Sequence, residues 1–294
     1  MAVQKGYVNV IKGVLSSFLV DLNFTHREGF TPLQDAAYIG HKYVVQLLLE
    51  KGADPNMVDK HGRTSLHHAA EKGHIGVVHI LLDRGAEPNI GDITGGTPLS
   101  YAIQESNYNV VLLLLDKGAL TNTESPCGLT PLHEAAYKGD KDVMQLLLDG
   151  GAKPNQTNIR GSSPLHRAAW EGHKDLVQLL LDRGAEPNKT NIRGSTPLHR
   201  AARKGHKDLV QLLLDRGAEP NIASHSGMTS LHYAAQKGHK DVVRLLLNRG
   251  GESSIKDQSA RTPLSYALQN GRVDIAMDIA WNKYRMGQRK EEGK

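Results

Sequence analysis

The chain has 294 residues, with 36 Lys and Arg against 31 Asp and Glu, a single Cys and 39% apolar residues. These values are typical of a folded protein and argue against a disordered one. The chain contains no run of about 18 apolar residues, so we expect no membrane span. One Cys cannot form an internal disulfide or a multi-cysteine zinc site. Because the N-terminal stretch also lacks the pattern of a secretory signal, we expect a cytoplasmic protein, with the nucleus as the alternative.

A period of 33 residues runs through the sequence. Its most regular mark is Thr or Ser, then Pro or Ser, then Leu, in eight copies without an insertion or deletion. The copies, numbered here as repeats 1 to 8, begin at Thr31, Thr64, Thr97, Thr130, Ser163, Thr196, Thr229 and Thr262. Positions are counted from this Thr or Ser, and an Ala lies at +5 in every repeat. The fixed register predicts one array of stacked units.

Each repeat is predicted to form two short helices. Thr or Ser before Pro supplies a hydroxyl that caps a helix, and Pro fits the first turn because no amide hydrogen is needed there. A Gly such as Gly40 ends this helix in the left-handed conformation. The second helix, as in residues 42–50, carries an apolar stripe. The segment after it, residues 56–63, is predicted to be a projecting turn or hairpin and is called a finger. Each finger is numbered with the repeat whose first helix follows it, so residues 56–63 form the finger of repeat 2.

In repeat 6 the recurring motifs are the tetrad Thr196-Pro197-Leu198-His199, Ala201-Ala202, Gly205-His206, Leu212-Leu213-Leu214, Gly217-Ala218 and Asn221. Such motifs resemble the ankyrin repeat over roughly residues 5–285. The resemblance implies an all-α ankyrin-repeat solenoid of helix-turn-helix units with projecting β-hairpin or turn loops. We expect about nine units in a single domain over residues 1–285. Within it, residues 1–29 are a truncated N-terminal cap unit, 30–260 are internal repeats and 261–285 are a C-terminal cap repeat. Residues 286–294 are predicted to be a frayed polar tail.

Fifteen histidines and one cysteine are the residues that could suggest chemistry. Ten of the histidines occupy two repeated positions, and the resemblance implies a hydrogen-bonding role for those of the tetrad. His61, His68 and His225 fall at variable positions and are candidates for contact with a partner. Cys127 lies at a predicted finger tip and has no nearby His that could act as its base. The sequence therefore offers no catalytic residue and no metal site, and we expect neither enzyme activity nor a cofactor.

By the same resemblance, the finger and the exposed side of the first helix form a concave binding face at positions −4, −3, −1, +4, +7 and +8. These 48 positions hold seven of the 14 aromatic residues, and 13 basic against six acidic residues. Aromatic residues and Arg are enriched at protein interfaces, although any single Tyr could instead stack on a neighbouring repeat. The predicted partner-binding residues are Phe30, Tyr38, Tyr101, Tyr137, Arg160, Arg167, Trp170, Arg193, Arg200, Arg203, Tyr233 and Tyr266.

Repeats 5 and 6 concentrate positive charge on this face. Their concave positions carry five Arg and Lys204 against Glu171, around Trp170. Guanidinium groups bind carboxylates and phosphates in a bidentate way, so we expect an acidic or phosphorylated peptide segment as ligand. The two repeats share a 17-residue string, residues 172–188 and 205–221, and recent duplication is the alternative explanation of their likeness.

The predicted function is a monomeric, non-enzymatic adaptor that binds another protein or peptide. Two alternatives belong to other classes: binding of nucleic acid or another polyanion through the Arg-rich patch, and passive spacing within a larger protein. A continuous basic groove, which nucleic acid would favour, is not evident. Repeat 3 is predicted to be the weakest unit, because Ser106 replaces the helix-ending Gly at a cost of about 1 kcal/mol.

Overall fold

The computed structural model describes residues 13, 21–26 and 29–292. Contacts divide the chain into two compact units, Met1–Lys153 and Pro154–Lys294. The predicted N-terminal cap over residues 1–29 lies outside the described residues, apart from residues 13, 21–26 and 29. The expectation of a single domain over residues 1–285 stays a prediction.

The first unit contains the paired helices of repeats 1 to 4. The first helices pack on one another in chain order, and each also packs on the second helix of its own repeat. In the described part of this unit the helices are α1 (Pro32–Ile39), α2 (Lys42–Glu50), α3 (Ser65–Glu71), α4 (Ile75–Asp83), α5 (Pro98–Gln104), α6 (Tyr108–Asp116), α7 (Pro131–Lys138) and α8 (Lys141–Asp149).

The second unit contains repeats 5 to 8 and has the same arrangement. Its first helices carry odd numbers and its second helices even numbers. They are α9 (Pro164–Glu171), α10 (Lys174–Asp182), α11 (Pro197–Lys204), α12 (Lys207–Asp215), α13 (Ser230–Lys237), α14 (Lys240–Asn248), α15 (Pro263–Gln269) and α16 (Val273–Glu292). No described helix is both long enough and apolar enough to cross a membrane.

The first helices begin at the predicted residues, and those of repeats 1, 4, 5, 6 and 7 end at the predicted Gly. In repeat 6, Thr196 has extended backbone, and its hydroxyl accepts a hydrogen bond from the backbone N–H of His199. Pro197 follows in the first turn of α11. Gly205 ends the helix with a φ of 83°, in the left-handed region that is unfavourable for residues with a side chain. These local residues therefore determine where the helix lies in each repeat.

The core is built from alanine and aliphatic side chains. In repeat 6, Ala201 and Ala202 of α11 are fully buried, as are Val210 and Leu213 of α12. Small alanine side chains allow neighbouring first helices to approach closely. Because much of this burial is against the adjacent repeat, the stability of such an array depends on the interfaces between its repeats.

The fingers are turns rather than strands throughout the described residues. In repeat 2 the backbone N–H of Asp59 donates to the carbonyl of Arg63 at 2.9 Å. One backbone hydrogen bond then joins this finger to the next, from the N–H of Ile93 to the carbonyl of His61 at 3.0 Å. Of the two predicted forms, hairpin or turn, the described fingers take the turn.

A recurring Asn and the tetrad His link neighbouring repeats within each unit, except where the His is replaced, as by Ser100. Asn188 donates from Nδ2 to the carbonyl of Gly217 at 3.0 Å and accepts from the N–H of Glu219 at 2.9 Å. The Nε2 of His166 lies 2.9 Å from the carbonyl oxygen of Ser195. Equivalent bonds recur at 33-residue intervals in both units. These bonds maintain the register between neighbouring repeats.

The C-terminal helix differs from the predicted frayed tail over residues 286–294. Helix α16 continues to Glu292, so most of that segment is helical. Lys283 stands where repeats 1 to 7 carry a Gly, and hence the usual helix stop is missing. Asp278 of this helix pairs with Arg244 of repeat 7 at 2.9 Å.

Candidate protein-binding site

The predicted binding residues lie on the first helices and on the fingers. The exposed side that these two elements form in each unit is called the finger face. The exposed ones are Tyr38 and Tyr137 in the first unit, and Arg160, Arg167, Arg193 and Arg203 in the second. The half-buried ones are Phe30 and Tyr101 in the first unit, and Trp170, Arg200 and Tyr233 in the second. Tyr266 is buried, with 4% of its surface exposed.

In the first unit, two predicted aromatic residues pack around a histidine. The ring centre of Phe30 lies 4.8 Å from that of His68, and Tyr38 meets the same ring edge-on at 6.0 Å. The Nζ of Lys72 lies 4.8 Å from the ring centre of Tyr38. Phe30 therefore contributes to packing within the unit, whereas Tyr38 keeps an exposed edge.

His68 was a candidate for partner contact, and this prediction is wrong. Its Nε2 lies 3.1 Å from Oδ2 of Asp59, and neither side chain is accessible to solvent. Burial, together with the charge of Arg63, lowers the pKa of His68 to about 4. The residue is therefore neutral near pH 7 and bonds the finger of repeat 2 to helix α3.

Two of the tyrosines predicted to contact a partner form hydrogen bonds to an aspartate of their own repeat. In the second unit, the Tyr266 hydroxyl donates to Oδ2 of Asp257 at 2.6 Å, and the guanidinium of Arg261 lies 4.5 Å from the ring centre. Tyr101 in the first unit donates to Asp92 in the same way, and burial and this bond raise the pKa of Tyr101 to about 12. Tyr266 is covered by the finger of its own repeat and by the ring of His232 in repeat 7, whose centre lies 6.0 Å away, and this burial corrects its assignment as a contact residue.

Trp170 of α9 is the centre of a basic cluster in the second unit. The Cζ atoms of Arg200 and Arg203 lie 5.5 and 5.7 Å from the centre of the indole ring, and the Nζ of Lys204 lies 4.4 Å from it. Arg203 also lies 5.9 Å from the ring centre of Tyr233. These five residues are called the Trp170 cluster. Their cation–π contacts hold three cations around one ring.

The cations of the Trp170 cluster have no carboxylate partner among the residues that the structure describes. Burial, together with the charges of Arg203 and Arg193, lowers the pKa of Arg200. A guanidinium nevertheless stays protonated at any physiological pH. Three like charges are thus held close together without compensation, and an anion placed among them would relieve their repulsion.

Arg167 differs from Arg200, although both occupy position +4 of nearly identical repeats. The Nε of Arg167 lies 3.2 Å from Oε1 of Glu171, one turn further along α9. Repeat 6 has Lys204 at the position of Glu171. The predicted basic patch is therefore uneven, with Arg167 paired inside repeat 5 and the uncompensated charge in repeat 6.

Two isoleucines at the finger tips lie at position −4 of the predicted face but were not among the predicted partner-binding residues. Ile159 and Ile192 are 66% and 60% exposed and lie beside the exposed Arg160 and Arg193. Position −4 could have indicated them, because it is basic or polar in repeats 2, 7 and 8 but is isoleucine in repeats 5 and 6. They give the basic finger face of the second unit an apolar margin.

The histidines and the cysteine form no group of metal ligands in the described part of the chain. No group of three or more His, Cys, Asp and Glu residues there could hold a metal ion. The ring of His232 is occupied on both sides, by Thr229 at 2.9 Å and by the carbonyl of Arg261 at 3.2 Å. Cys127 is exposed, as predicted for a finger tip.

Paired helices and finger turns that recur every 33 residues define an all-α repeat solenoid. The family profile described as Ankyrin repeats (3 copies) matches residues 1–92, 99–191, 132–224, 165–257 and 198–280. The chain therefore belongs to the ankyrin repeat family, as its motifs predicted. A comparison with curated proteins gives no match. Ankyrin repeats generally act as protein–protein interaction modules and are typically non-enzymatic.

Proposed function

We propose that the chain is a non-enzymatic adaptor that binds a partner polypeptide as a monomer in the cytoplasm or nucleus. The partner segment carries carboxylates or a phosphate group. The binding surface is the finger face of the second unit, which the family resemblance predicts to be concave.

One observation carries this proposal: three cationic groups lie within 5.7 Å of the ring centre of Trp170 without an acidic partner in the described chain. Uncompensated like charges at this distance repel one another, and partial burial strengthens the repulsion. A carboxylate or phosphate would remove it and would accept two hydrogen bonds from one guanidinium. Trp and Arg are also the residues that most often dominate the binding energy of interfaces.

The neighbouring surface suggests how the rest of the segment is bound. Ile159 and Ile192 could pack against an apolar side chain while the Trp170 cluster binds the anion. Such a mixed surface fits a peptide in which acidic and apolar residues lie close together. It fits a nucleic-acid backbone less well, because phosphates there follow one another without apolar side chains.

The test is a titration of the full chain with three fluorescent peptides of equal length: Glu-rich, phosphoserine-containing and Gln-matched. We expect the Glu-rich or phosphoserine peptide to bind and the Gln peptide not to bind. Arg203→Glu should weaken binding by about tenfold or more, because it reverses a charge of the cluster. The matched control is Lys174→Glu on α10, an exposed Lys outside the finger face, which should change the affinity by less than about twofold.

A single-stranded oligonucleotide in the same assay distinguishes the polyanion alternative. If it binds more tightly than either acidic peptide and its affinity falls steeply with salt, the chain binds nucleic acid. If Arg203→Glu leaves the affinity for the acidic peptides unchanged, the finger face of the second unit is not their site.

A further inference from the structure

In several repeats, the side chains at one pair of positions bond the finger to the first helix of the same repeat. The residue at −5 lies at the base of the finger, and the residue at +4 lies on the first helix. In three repeats a carboxylate at −5 accepts a hydrogen bond from the side chain at +4. These pairs are Asp59 with His68, Asp92 with Tyr101, and Asp257 with Tyr266. Repeat 1 has the same pair with its members exchanged, His26 and Asp35, 3.2 Å apart.

The two oxygens of the carboxylate have different tasks. In repeat 2, Oδ1 of Asp59 accepts the backbone N–H groups of His61 at 2.8 Å and Arg63 at 2.9 Å, and so holds the turn. The other oxygen, Oδ2, faces the helix and bonds to His68. In these repeats the side chain at +4 therefore already has a hydrogen-bonding partner within its own repeat.

Repeats 5 and 6 carry Asn158 and Asn191 at position −5. The Oδ1 of Asn191 accepts the N–H groups of Arg193 at 2.9 Å and Ser195 at 3.0 Å, so the turn is preserved. The remaining atom is Nδ2, which can only donate a hydrogen bond and lies 3.4 Å from the hydroxyl of Ser162. It cannot accept a hydrogen bond from Arg200.

The two Asn-containing repeats differ in what else surrounds their +4 arginine. Arg167 of repeat 5 pairs with Glu171 at 3.2 Å. In repeat 6 the equivalent neighbour of Arg200 is Lys204, which adds a positive charge. Arg200 thus lacks both carboxylates that other repeats supply, one from the finger and one from the helix.

We propose that Asn191 is a specificity-determining residue, and that the partner supplies to Arg200 the anion that an internal Asp supplies in other repeats. The ligand group is one carboxylate or phosphomonoester, bound by Arg200 beside the ring of Trp170. Asn191 acts by keeping the site free of internal negative charge while still holding the finger turn. This inference rests on the proposed function and narrows it to one repeat.

The test is Asn191→Asp in the full chain, titrated with the Glu-rich and phosphoserine peptides. Aspartate preserves the turn, as it does in repeats 2, 3 and 8, and places a carboxylate next to Arg200. We expect the affinity for the better-binding peptide to fall about tenfold and to become less dependent on salt. The thermal midpoint should not decrease, because no bond of the turn is lost.

Asn158→Asp in repeat 5 is the matched control, since it makes the same substitution and charge change in an almost identical finger. Its Oδ1 accepts the N–H groups of Arg160 and Ser162 at 2.9 and 3.1 Å. Because Arg167 is already paired with Glu171, the affinity should change by less than about twofold.

The outcomes separate this inference from the proposed function. If Arg203→Glu abolishes binding while Asn191→Asp does not weaken it, Asn191 has no such role and the binding surface stands. Equal losses in Asn191→Asp and Asn158→Asp would also overturn the inference, since they would show a general effect of charge. If neither peptide binds the wild-type chain, both the inference and the proposed function are wrong.

Discussion

The Nε2 of His199 in repeat 6 lies 3.1 Å from the carbonyl oxygen of Met228, at the finger of repeat 7. Its other ring nitrogen, Nδ1, accepts a hydrogen bond from the backbone N–H of Thr196 at 3.0 Å. One neutral tautomer, with its proton on Nε2, satisfies both bonds. Burial lowers the pKa of His199 to about 4, so the neutral ring is stable over the physiological range.

We expect the free energy of unfolding to decrease as the pH falls from about 6.5 to about 4. In the unfolded chain His199 takes up a proton near its ordinary pKa of 6.5, whereas in the folded chain it stays neutral until about pH 4. Its contribution is therefore complete above pH 6.5 and is lost through this window, to a limit of about 3 kcal/mol. Urea denaturation at a series of pH values measures the decrease.

His199→Gln separates this effect from the titration of other groups. Repeat 1 has Gln34 at the same position, where it accepts from the N–H of Thr31 at 2.8 Å and donates to the carbonyl of Arg63 at 3.1 Å. Glutamine should keep both bonds without binding a proton. The slope of stability against pH should therefore be smaller in the variant, and an unchanged slope would contradict the role assigned to His199.

Ser106→Gly should stabilise the chain by about 1 kcal/mol in urea denaturation. Ser106 has a φ of 57°, in the left-handed region where the other repeats have glycine. It is tolerated because of a change in the next repeat. A Cβ at the equivalent Gly172 would lie 2.7 Å from the ring of His206, but repeat 4 carries the shorter Asp140 at that position.

Asp140→His should consequently destabilise the chain more when Ser106 is present than when it is replaced by Gly. The imidazole would meet the Cβ of Ser106, whereas it would fit against Gly as in the other repeats. A double-mutant cycle measures the coupling between the two changes. Additive effects would mean that the two residues do not share this contact.

The junction of repeats 3 and 4 lacks several links found at other junctions. Ser100 replaces the tetrad histidine that reaches the next repeat, and Pro126 has no N–H to join the two fingers. Asp83 and Lys117 form an ion pair at 2.9 Å across the preceding junction. It has no equivalent here, because Gly150 stands at the position that corresponds to Lys117. The hydrogen bond from Gln104 to Glu134, at 3.3 Å, is a partial replacement.

Native-state amide exchange should therefore be faster around Ser106 than around Gly172 or Gly205. Fewer bonds across a junction lower the free energy of its local opening. Exchange detected by mass spectrometry on peptides that cover each helix-ending turn measures the difference. Equal protection at the three turns would show that this junction is not weaker.

Tyr266→Phe should reduce stability by about 1 kcal/mol, because it removes the hydrogen bond to Asp257, which keeps a contact with Arg261 at 3.3 Å. It should leave the affinity for the acidic peptides unchanged. Trp170→Ala should do the reverse and weaken binding with little loss of stability. A loss of affinity in Tyr266→Phe would return this residue to the binding site.

Much of the fold follows from residues that act locally. Thr-Pro at a helix start, Gly at its end and the apolar stripe each depend on neighbours within a few positions, so the 33-residue register is sufficient to predict them. The length of α16 was not predicted, because the polar residues after Arg285 suggest fraying, whereas the decisive feature is the missing Gly at Lys283.

The candidate site was predictable only in part, because contact between the finger and the helix depends on the folded repeat. Position +4 is exposed on an isolated helix, yet an aspartate at −5 brings the finger against Tyr266 and His68. Trp170 and Arg200 were found from composition and position. Their clustering around one ring required coordinates, since it joins side chains from two repeats.

The most direct test of the central claim uses the two tryptophans of the chain as reporters. Trp170 lies in the proposed site, whereas Trp281 is 63% exposed on α16 and stacks on Tyr284. In a nuclear magnetic resonance titration with the acidic or phosphoserine peptide, the indole N–H signal of Trp170 should shift and that of Trp281 should not. A titration that shifts Trp281 alone, or neither signal, would contradict binding at the finger face of the second unit.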